Sequence, residues 1–230
     1  MLHGKRIAAV VPAAGKGNRM GGNVAKQFLE LQGKPILVHT LERLNTIPEI
    51  DEIIVATSED DLSIVKNMAA EYRIAKIEAV VVGGNERQDS VWNCLQHLSK
   101  NNIDIIIVHD AVRPFVTRDL VLDVCSTAIE VGAAVPVVYP KDTIKTSNGD
   151  GFIKSTLDRD KLVIVQTPQA FQFSLIFQAY QKAMNEQFYG TDDASVVERY
   201  GGKVKIVKGS YNNIKLTTTE DMFLAQQIQQ

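Results

Sequence analysis

Long hydrophobic runs are missing from this sequence. None approaches the roughly 20 apolar residues that cross a bilayer, which excludes a membrane-embedded class. The N-terminal M-L-H-G-K-R leads directly into an apolar segment with no signal-peptide hydrophobic region, so a cytoplasmic location is expected. A basic excess is missing too: Lys+Arg number 25 against Asp+Glu at 27, a net charge of −2. A general nucleic-acid binder would carry the opposite imbalance, so nucleic acid is not an expected partner. Cysteine is scarce. Cys94 and Cys125 have neither metal-ligand spacing nor the count of a disulfide framework. Each falls on an apolar helical stripe (Val91, Cys94, Leu95, Leu98 and Val121, Val124, Cys125, Ala128), where a free thiol acts as a small hydrophobe. Two nucleotide motifs are also incomplete. The third glycine of G-x-G-x-x-G is replaced by Met20, and Gly17-Asn18 stands where a Walker A loop needs G-K.

What remains is an ordinary globular balance, 45% hydrophobic and 23% charged over 230 residues, enough for a substantial core. Apolar runs predict strands at 6–11, 52–56, 77–82, 103–108 and 133–138, separated by helical patterns at 35–44, 60–72, 90–98 and 118–131. Pro35 suits a first helical position, and Ser58 with Asp61 reads as a capping box. This alternation implies an α/β fold with one doubly covered, mostly parallel sheet, whose ligands bind outside the carboxyl ends of the strands. The alternation breaks near Pro140. Residues 141–160 hold two short β-like runs around S-N-G-D-G, a hairpin signal. A ribbon of that size is marginal alone and is expected to pack on a second subunit. Returning strands are predicted at 163–165 and 204–207, with helices at 173–187, 192–200 and 219–228. The chain has no repeats or low-complexity tracts and reads as one domain, 1–230, with 141–160 as an arm.

Residues that carry chemistry gather at the predicted strand ends. V-V-P-A-A-G-K-G-N-R (10–19) puts Ala13, Ala14, Gly15 and Gly17 after the first strand, so backbone amides can close on a phosphate beside the cations Lys16, Arg19 and Lys26. After the third strand, Gly83-Gly84 lets a flat base approach the backbone, and Ser90 is placed to cap the next helix or to bond a base edge. After the fourth, Asp110 leaves an apolar strand. It can contact a substrate hydroxyl or a magnesium water, or form a turn pair with Arg113. His109 reads as a satisfied structural group and Lys215 as a lone lysine far along the chain. T-D-D-A-S (191–195) reads as a Thr191 cap with first-turn acids rather than a metal pair.

P-A-A-G-K-G-N-R-M, A-K-Q-F, G-G-N-E-R-Q-D-S-V, V-H-D-A-V-R-P, D-T-I-K, D-R, Q-T-P-Q-A-F, T-D-D-A-S and N-I-K-L-T follow one another across nearly the whole chain. Together they resemble the 2-C-methyl-D-erythritol 4-phosphate cytidylyltransferases of the non-mevalonate isoprenoid pathway. The resemblance implies a Rossmann-like nucleotidyltransferase fold in which the acceptor phosphate attacks the α-phosphorus of CTP and expels pyrophosphate. It implies that Ala13, Ala14 and Gly15 cradle CTP, that Gly84, Asn85 and Ser90 read ribose and cytosine, and that Arg19 and Lys26 stabilise charge at the α-phosphate. Arg159 and Lys215 would position the attacking phosphate, helped by Asp110, Arg113, Thr143 and Thr167. It further implies a homodimer whose arm carries Thr143 and Arg159 into the neighbour's site, and Mg²⁺ carried mainly by the CTP phosphates rather than by a protein ligand set. Asn85 stands where family members often have aspartate; it keeps an acceptor, adds donors and loses the charge. A cytidylyltransferase for another polyol phosphate, such as ribitol 5-phosphate, shares the nucleotide loop. A non-catalytic nucleotide-binding module would be expected to lack Arg19, Lys26 or Lys215, and all three are present.

Overall fold

The computed structural model describes residues 1–15 and 25–228. In chain order, β1 (Ile7–Pro12) is followed by a small ribbon of β2 (Glu30–Leu31) and β3 (Lys34–Pro35), then α1 (Ile36–Asn45), β4 (Glu52–Thr57), α2 (Leu62–Glu71), β5 (Ile77–Val82) and α3 (Arg87–Leu98). Next come β6 (Ile105–Val108), α4 (Arg118–Val131), β7 (Ala133–Val138), β8 (Lys145–Ser147) and β9 (Ile153–Thr156). The chain ends with β10 (Ile164–Val165), β11 (Gln169–Gln172), α5 (Phe173–Glu186), α6 (Asp193–Arg199), β12 (Lys205–Lys208) and α7 (Thr219–Ile228).

The main sheet has the order β10–β7–β11–β6–β1–β4–β5, and β12 also pairs with β7. β6, β1, β4 and β5 run parallel, as do β7 and β12, while β10 and β11 are antiparallel insertions. Both faces are covered, which is why β1, β4, β6 and β7 are near-continuous apolar runs. Successive side chains in β1 point to opposite faces. Ile7, Ala9 and Val11 pack with Leu37, Leu41, Val121 and Cys125 of α1 and α4. Ala8 and Val10 pack with Val91, Cys94 and Leu95 of α3 and Tyr180 of α5. The two cysteines are therefore buried thiols; burial raises both, Cys125 to about 12.

Several local expectations shift. α3 begins at Arg87 rather than Ser90, because Glu86 and Asp89 form a capping box first. Pro35 precedes α1 and belongs to the β2–β3 ribbon. Ser58 and Asp61 do bond reciprocally, in the turn ahead of α2. Asp192, not Thr191, caps α6 by accepting from the Ser195 amide. β11 has no counterpart in the sequence reading: it follows Pro168 and has glutamine at both ends. The Asn-Gly hairpin forms, with β8 and β9 joined through a loop closed by Asn148 N–H to the Phe152 carbonyl.

Candidate active site

The carboxyl ends of β1, β4, β5 and β6 lie together because their parallel register is nearly level, and the loops that leave them interlock. Ala13 N–H donates to the Ala56 carbonyl, Gly83 N–H to that of Thr57 and His109 N–H to that of Val10. A cavity opens above them, lined on one side by Ala13, Ala14, Gly15 and Lys26, on another by Gly84, Asn85 and Ser90, and floored by Asp110 and Lys215. Gln27, almost wholly buried, donates to the Ala13 carbonyl at 2.6 Å and so ties the turn that starts at Lys26 to the end of β1. Arg19 lies outside the described residues.

Glycine is required where the β5 loop meets the β1 loop. A β-carbon on Gly83 would lie 2.5 Å from Ala14 Cβ and 2.7 Å from Ser90 Oγ; one on Gly84 would lie 2.2 Å from Asp89 Cβ. Ser90, inside α3 rather than at its cap, uses its hydroxyl oxygen to accept from Gly84 N–H at 3.1 Å. It therefore shapes the cradle through the backbone.

The floor is a charge cluster. Asp110 Oδ2 sits 3.0 Å from Arg113 Nε and 3.0 Å from Lys215 Nζ, while Oδ1 is 3.5 Å from Arg87 Nε. Burial pushes the Asp110 carboxyl up. Arg87, Lys215 and Arg113 more than reverse this and hold it well below the ordinary carboxylate value. The turn pair with Arg113 is real and is one part of this larger set. Lys215 is no solvated lysine. Leu216 N–H donates to the Val112 carbonyl, Arg113 Nη1 to the Asn213 carbonyl at 2.8 Å, and Asn213 Nδ2 to the Thr167 carbonyl at 2.8 Å. Thr167 in turn accepts from Asp110 N–H at 3.0 Å. Arg113 and Thr167 thus support the floor from behind.

His109 is fully buried between the Arg113 carbonyl and the Thr167 hydroxyl, and burial lowers it to about 4. It is a structural imidazole, as its sequence context predicts. Thr143 and Arg159 lie elsewhere. Both are exposed at the base of the β8–β9 hairpin, where Arg159 Nη1 donates to the Lys141 carbonyl at 2.6 Å beside a second cavity lined by Tyr139, Pro140 and Lys141. Asp193 lies in the first turn of α6, as its reading as a first-turn acid expects, but it is fully buried and bonds Arg87. Arg87, Gln27 and Asn213 hold the site together and were not singled out from sequence.

Among the described residues no group of three or more His, Cys, Asp or Glu side chains could hold a metal ion. Asp110, the acid on the cavity floor, has its oxygens turned to cations, so the donor set does not make a protein cage for a divalent ion.

The family profile of 2-C-methyl-D-erythritol 4-phosphate cytidylyltransferase (IspD) matches residues 7–230. The chain belongs to this cytidylyltransferase family. It is 45% identical over 222 residues to the 2-C-methyl-D-erythritol 4-phosphate cytidylyltransferase of Syntrophus aciditrophicus, covering 96% of this chain and 94% of that one. Its fold is similar to the 4-diphosphocytidyl-2C-methyl-D-erythritol synthase of Anaerococcus prevotii (TM-score 0.85, 34% identity, 100% and 98% of the two chains). The Thermus thermophilus cytidylyltransferase is similar as well (TM-score 0.79, 30% identity, 96% and 97%). Likeness to cytidylyltransferases therefore extends over the whole sheet, including the antiparallel β10 and β11. No helix among the described residues is long and apolar enough to cross a membrane.

Proposed function

We propose that this enzyme transfers a cytidylyl group from CTP to 2-C-methyl-D-erythritol 4-phosphate, forming 4-(CDP)-2-C-methyl-D-erythritol and pyrophosphate. The observation that carries the reading is one cavity with a glycine-walled backbone cradle on one side and Lys215, tied to a buried carboxylate, on its floor. Two phosphate-bearing substrates need two anion-binding surfaces that face each other.

The acceptor phosphate oxygen bonds to the α-phosphorus as the α–β bridging bond breaks, and the electron pair leaves on pyrophosphate. Mutual repulsion of two anions is the first barrier, and fixed cations lower it. The nucleophile is already ionised near neutral pH, so no general base is needed and His109 stays out of the chemistry. Ala13, Ala14 and Gly15 cradle the triphosphate, Gly84, Asn85 and Ser90 hold ribose and cytosine, and Arg19 and Lys26 stabilise charge at the α-phosphate. Lys215 and Arg159 position the acceptor phosphate, helped by Asp110 and Thr143, while Arg113 and Thr167 help by bracing Asp110 from behind. Mg²⁺ would come with the CTP phosphates, keeping most of its waters, and would supply further neutralisation of their charge. Residues 1–230 act as one domain, with 141–160 as an arm that carries Thr143 and Arg159 to a partner subunit of a homodimer. The exposure of Phe152 (71%) and Ile153 (66%) on that hairpin supports the arm reading. A cytoplasmic location fits a reaction between such anionic metabolites.

The test is pyrophosphate release from CTP and Mg²⁺ with methylerythritol 4-phosphate or ribitol 5-phosphate as acceptor. Release confined to methylerythritol phosphate is the expected result; release only with ribitol phosphate, or with neither, would overturn the assignment.

A further inference from the structure

Arg87 opens α3, the helix whose preceding loop carries Gly84 and Asn85. Its guanidinium is forked onto Asp193 across 106 residues of sequence, with Nη1 to Oδ1 at 3.0 Å and Nη2 to Oδ2 at 2.7 Å. Asp193 is fully buried at the start of α6, and the equally buried Tyr180 of α5 donates its hydroxyl to Oδ1 at 2.5 Å. The third edge of the guanidinium, Nε, faces Asp110 Oδ1 at 3.5 Å, and the Arg87 side chain, one-third exposed (33%), lines the cavity.

A carboxylate without solvent holds its charge only through partners, so Asp193 and Arg87 fix each other. The guanidinium is a rigid planar fork, and two bonds to Asp193 settle where its Nε points. That direction leads to the carboxylate whose other oxygen holds Arg113 and Lys215. Three cations (Arg87, Arg113, Lys215) against two carboxylates (Asp110, Asp193) leave the cluster one net positive charge, next to where an anionic substrate would sit. Adjacent bonds brace the same junction. Gln88 donates to the Phe188 carbonyl at 2.8 Å and accepts from Gly190 N–H at 2.9 Å. Gln169 donates to Asp192 at 2.8 Å and accepts from Ala194 N–H at 2.9 Å.

We propose that Arg87 is a positioning residue for the transfer reaction: anchored from behind by Asp193 and Tyr180, it orients Asp110 and through it Lys215 towards the acceptor phosphate. The inference rests on the assignment of Asp110 and Lys215 to the acceptor side. It makes the α3 loop that borders the nucleotide and the floor that meets the acceptor parts of one clamp.

Steady-state kinetics on the full-length chain, with CTP and methylerythritol phosphate varied separately, tests it. Arg87→Lys keeps the charge but not the fork, and Asp193→Asn keeps the shape but not the charge. Each is expected to lower kcat/KM for the acceptor about tenfold or more, while KM for CTP moves by less than about threefold. In an Asp110→Asn background, Arg87→Lys is expected to add no more than about a twofold loss, because its effect is routed through Asp110. Losses that multiply in the double variant, or that fall equally on both substrates, would overturn the proposal. Should the charged-pair variants fail to fold, Tyr180→Phe removes one hydroxyl from the anchor and should lower acceptor kcat/KM about threefold. A folded Tyr180→Phe enzyme with unchanged acceptor kinetics would equally overturn it. Wild-type turnover reports on the reaction and the variant ratios on the clamp, so the two readings fail separately.

Discussion

Acid should destabilise this protein through one imidazole, and replacing His109 with glutamine should remove that sensitivity. His109 Nε2 lies 3.1 Å from the Arg113 carbonyl, which only accepts, so Nε2 carries the proton. Nδ1 is then an acceptor for the Thr167 hydroxyl at 3.0 Å, and the same hydroxyl oxygen accepts from Asp110 N–H at 3.0 Å. A second proton on His109 would turn Nδ1 into a donor and take away the acceptor that the Thr167 O–H uses. It would also place a charge in a fully buried site close to Arg113 and Arg87, with Asp110 as the opposing attraction. Burial is the largest cause of the lowering to about 4.

The sign follows from linkage. An unfolded histidine takes up its proton near 6.5 and the folded one near 4, so between these values the unfolded chain binds more protons and stability falls as pH falls. The whole interval corresponds to about 3 kcal/mol. Asp110 acts lower down: its folded value is depressed, so its contribution is intact above the ordinary carboxylate range and is lost only below about pH 4. His109→Gln keeps a donor for the Arg113 carbonyl and loses the acceptor for Thr167, which should cost about 1–2 kcal/mol at neutral pH. Urea unfolding from about pH 7 to pH 4 should therefore show the variant less stable at the top of the range and more stable at the bottom. Parallel stability curves for the two proteins would refute the assignment of the acid sensitivity to His109.

Gly83→Ala would set a methyl 2.5 Å from Ala14 Cβ, and is expected to destabilise by about 1–3 kcal/mol and to raise KM for CTP more than KM for the acceptor; unchanged melting and CTP kinetics would contradict the close approach of the two loops. Lys26→Ala and Arg159→Ala should each be inactive alone, yet mixed dimers should regain activity, because one of their two sites combines an intact Lys26 with the partner's intact arginine. Statistical mixing gives about a quarter of wild-type activity. No recovery in verified mixed dimers would mean that the sites are not shared.

Strand positions were legible because doubly covered parallel strands are apolar throughout, and β5, β7 and α4 lie where periodicity puts them. β11 was hidden because its pairing between β6 and β7 is a tertiary choice that Q-A-F-Q does not announce. The caps at Ser90 and Thr191 were misplaced for one reason. Serine and threonine are strong caps in isolation, but the capping boxes form at Glu86, four residues before Ser90, and at Asp192, one residue after Thr191. Within the site, glycines and Asp110 at strand ends were readable, since a polar residue ending an apolar strand stands out. Arg87–Asp193 was not, because neither residue looks unusual until the chain folds across a separation of 106 residues and removes the aspartate from water.

That hidden pair explains how the floor keeps its charges ready before substrate arrives. A lone lysine on a loop would be solvated and free to swing, and ordering it would cost part of the interaction it makes with phosphate. Here Leu216 bonds to the β6 loop, Arg113 and Asn213 close the loop from below, and the Asp110 carboxylate receives Lys215 directly. Asp110 can do so only while its own direction is set by Arg87 and Arg113 on its two oxygens. On the proposed assignment of Lys215 to the acceptor phosphate, the cations would meet that phosphate in an arrangement already fixed by buried partners, leaving little reorganisation for the moment when negative charge builds at the α-phosphorus. For a reaction between two anions that needs no proton removed, preorganised charge is the main thing the protein must supply, and the buried polar residues behind the cavity supply it.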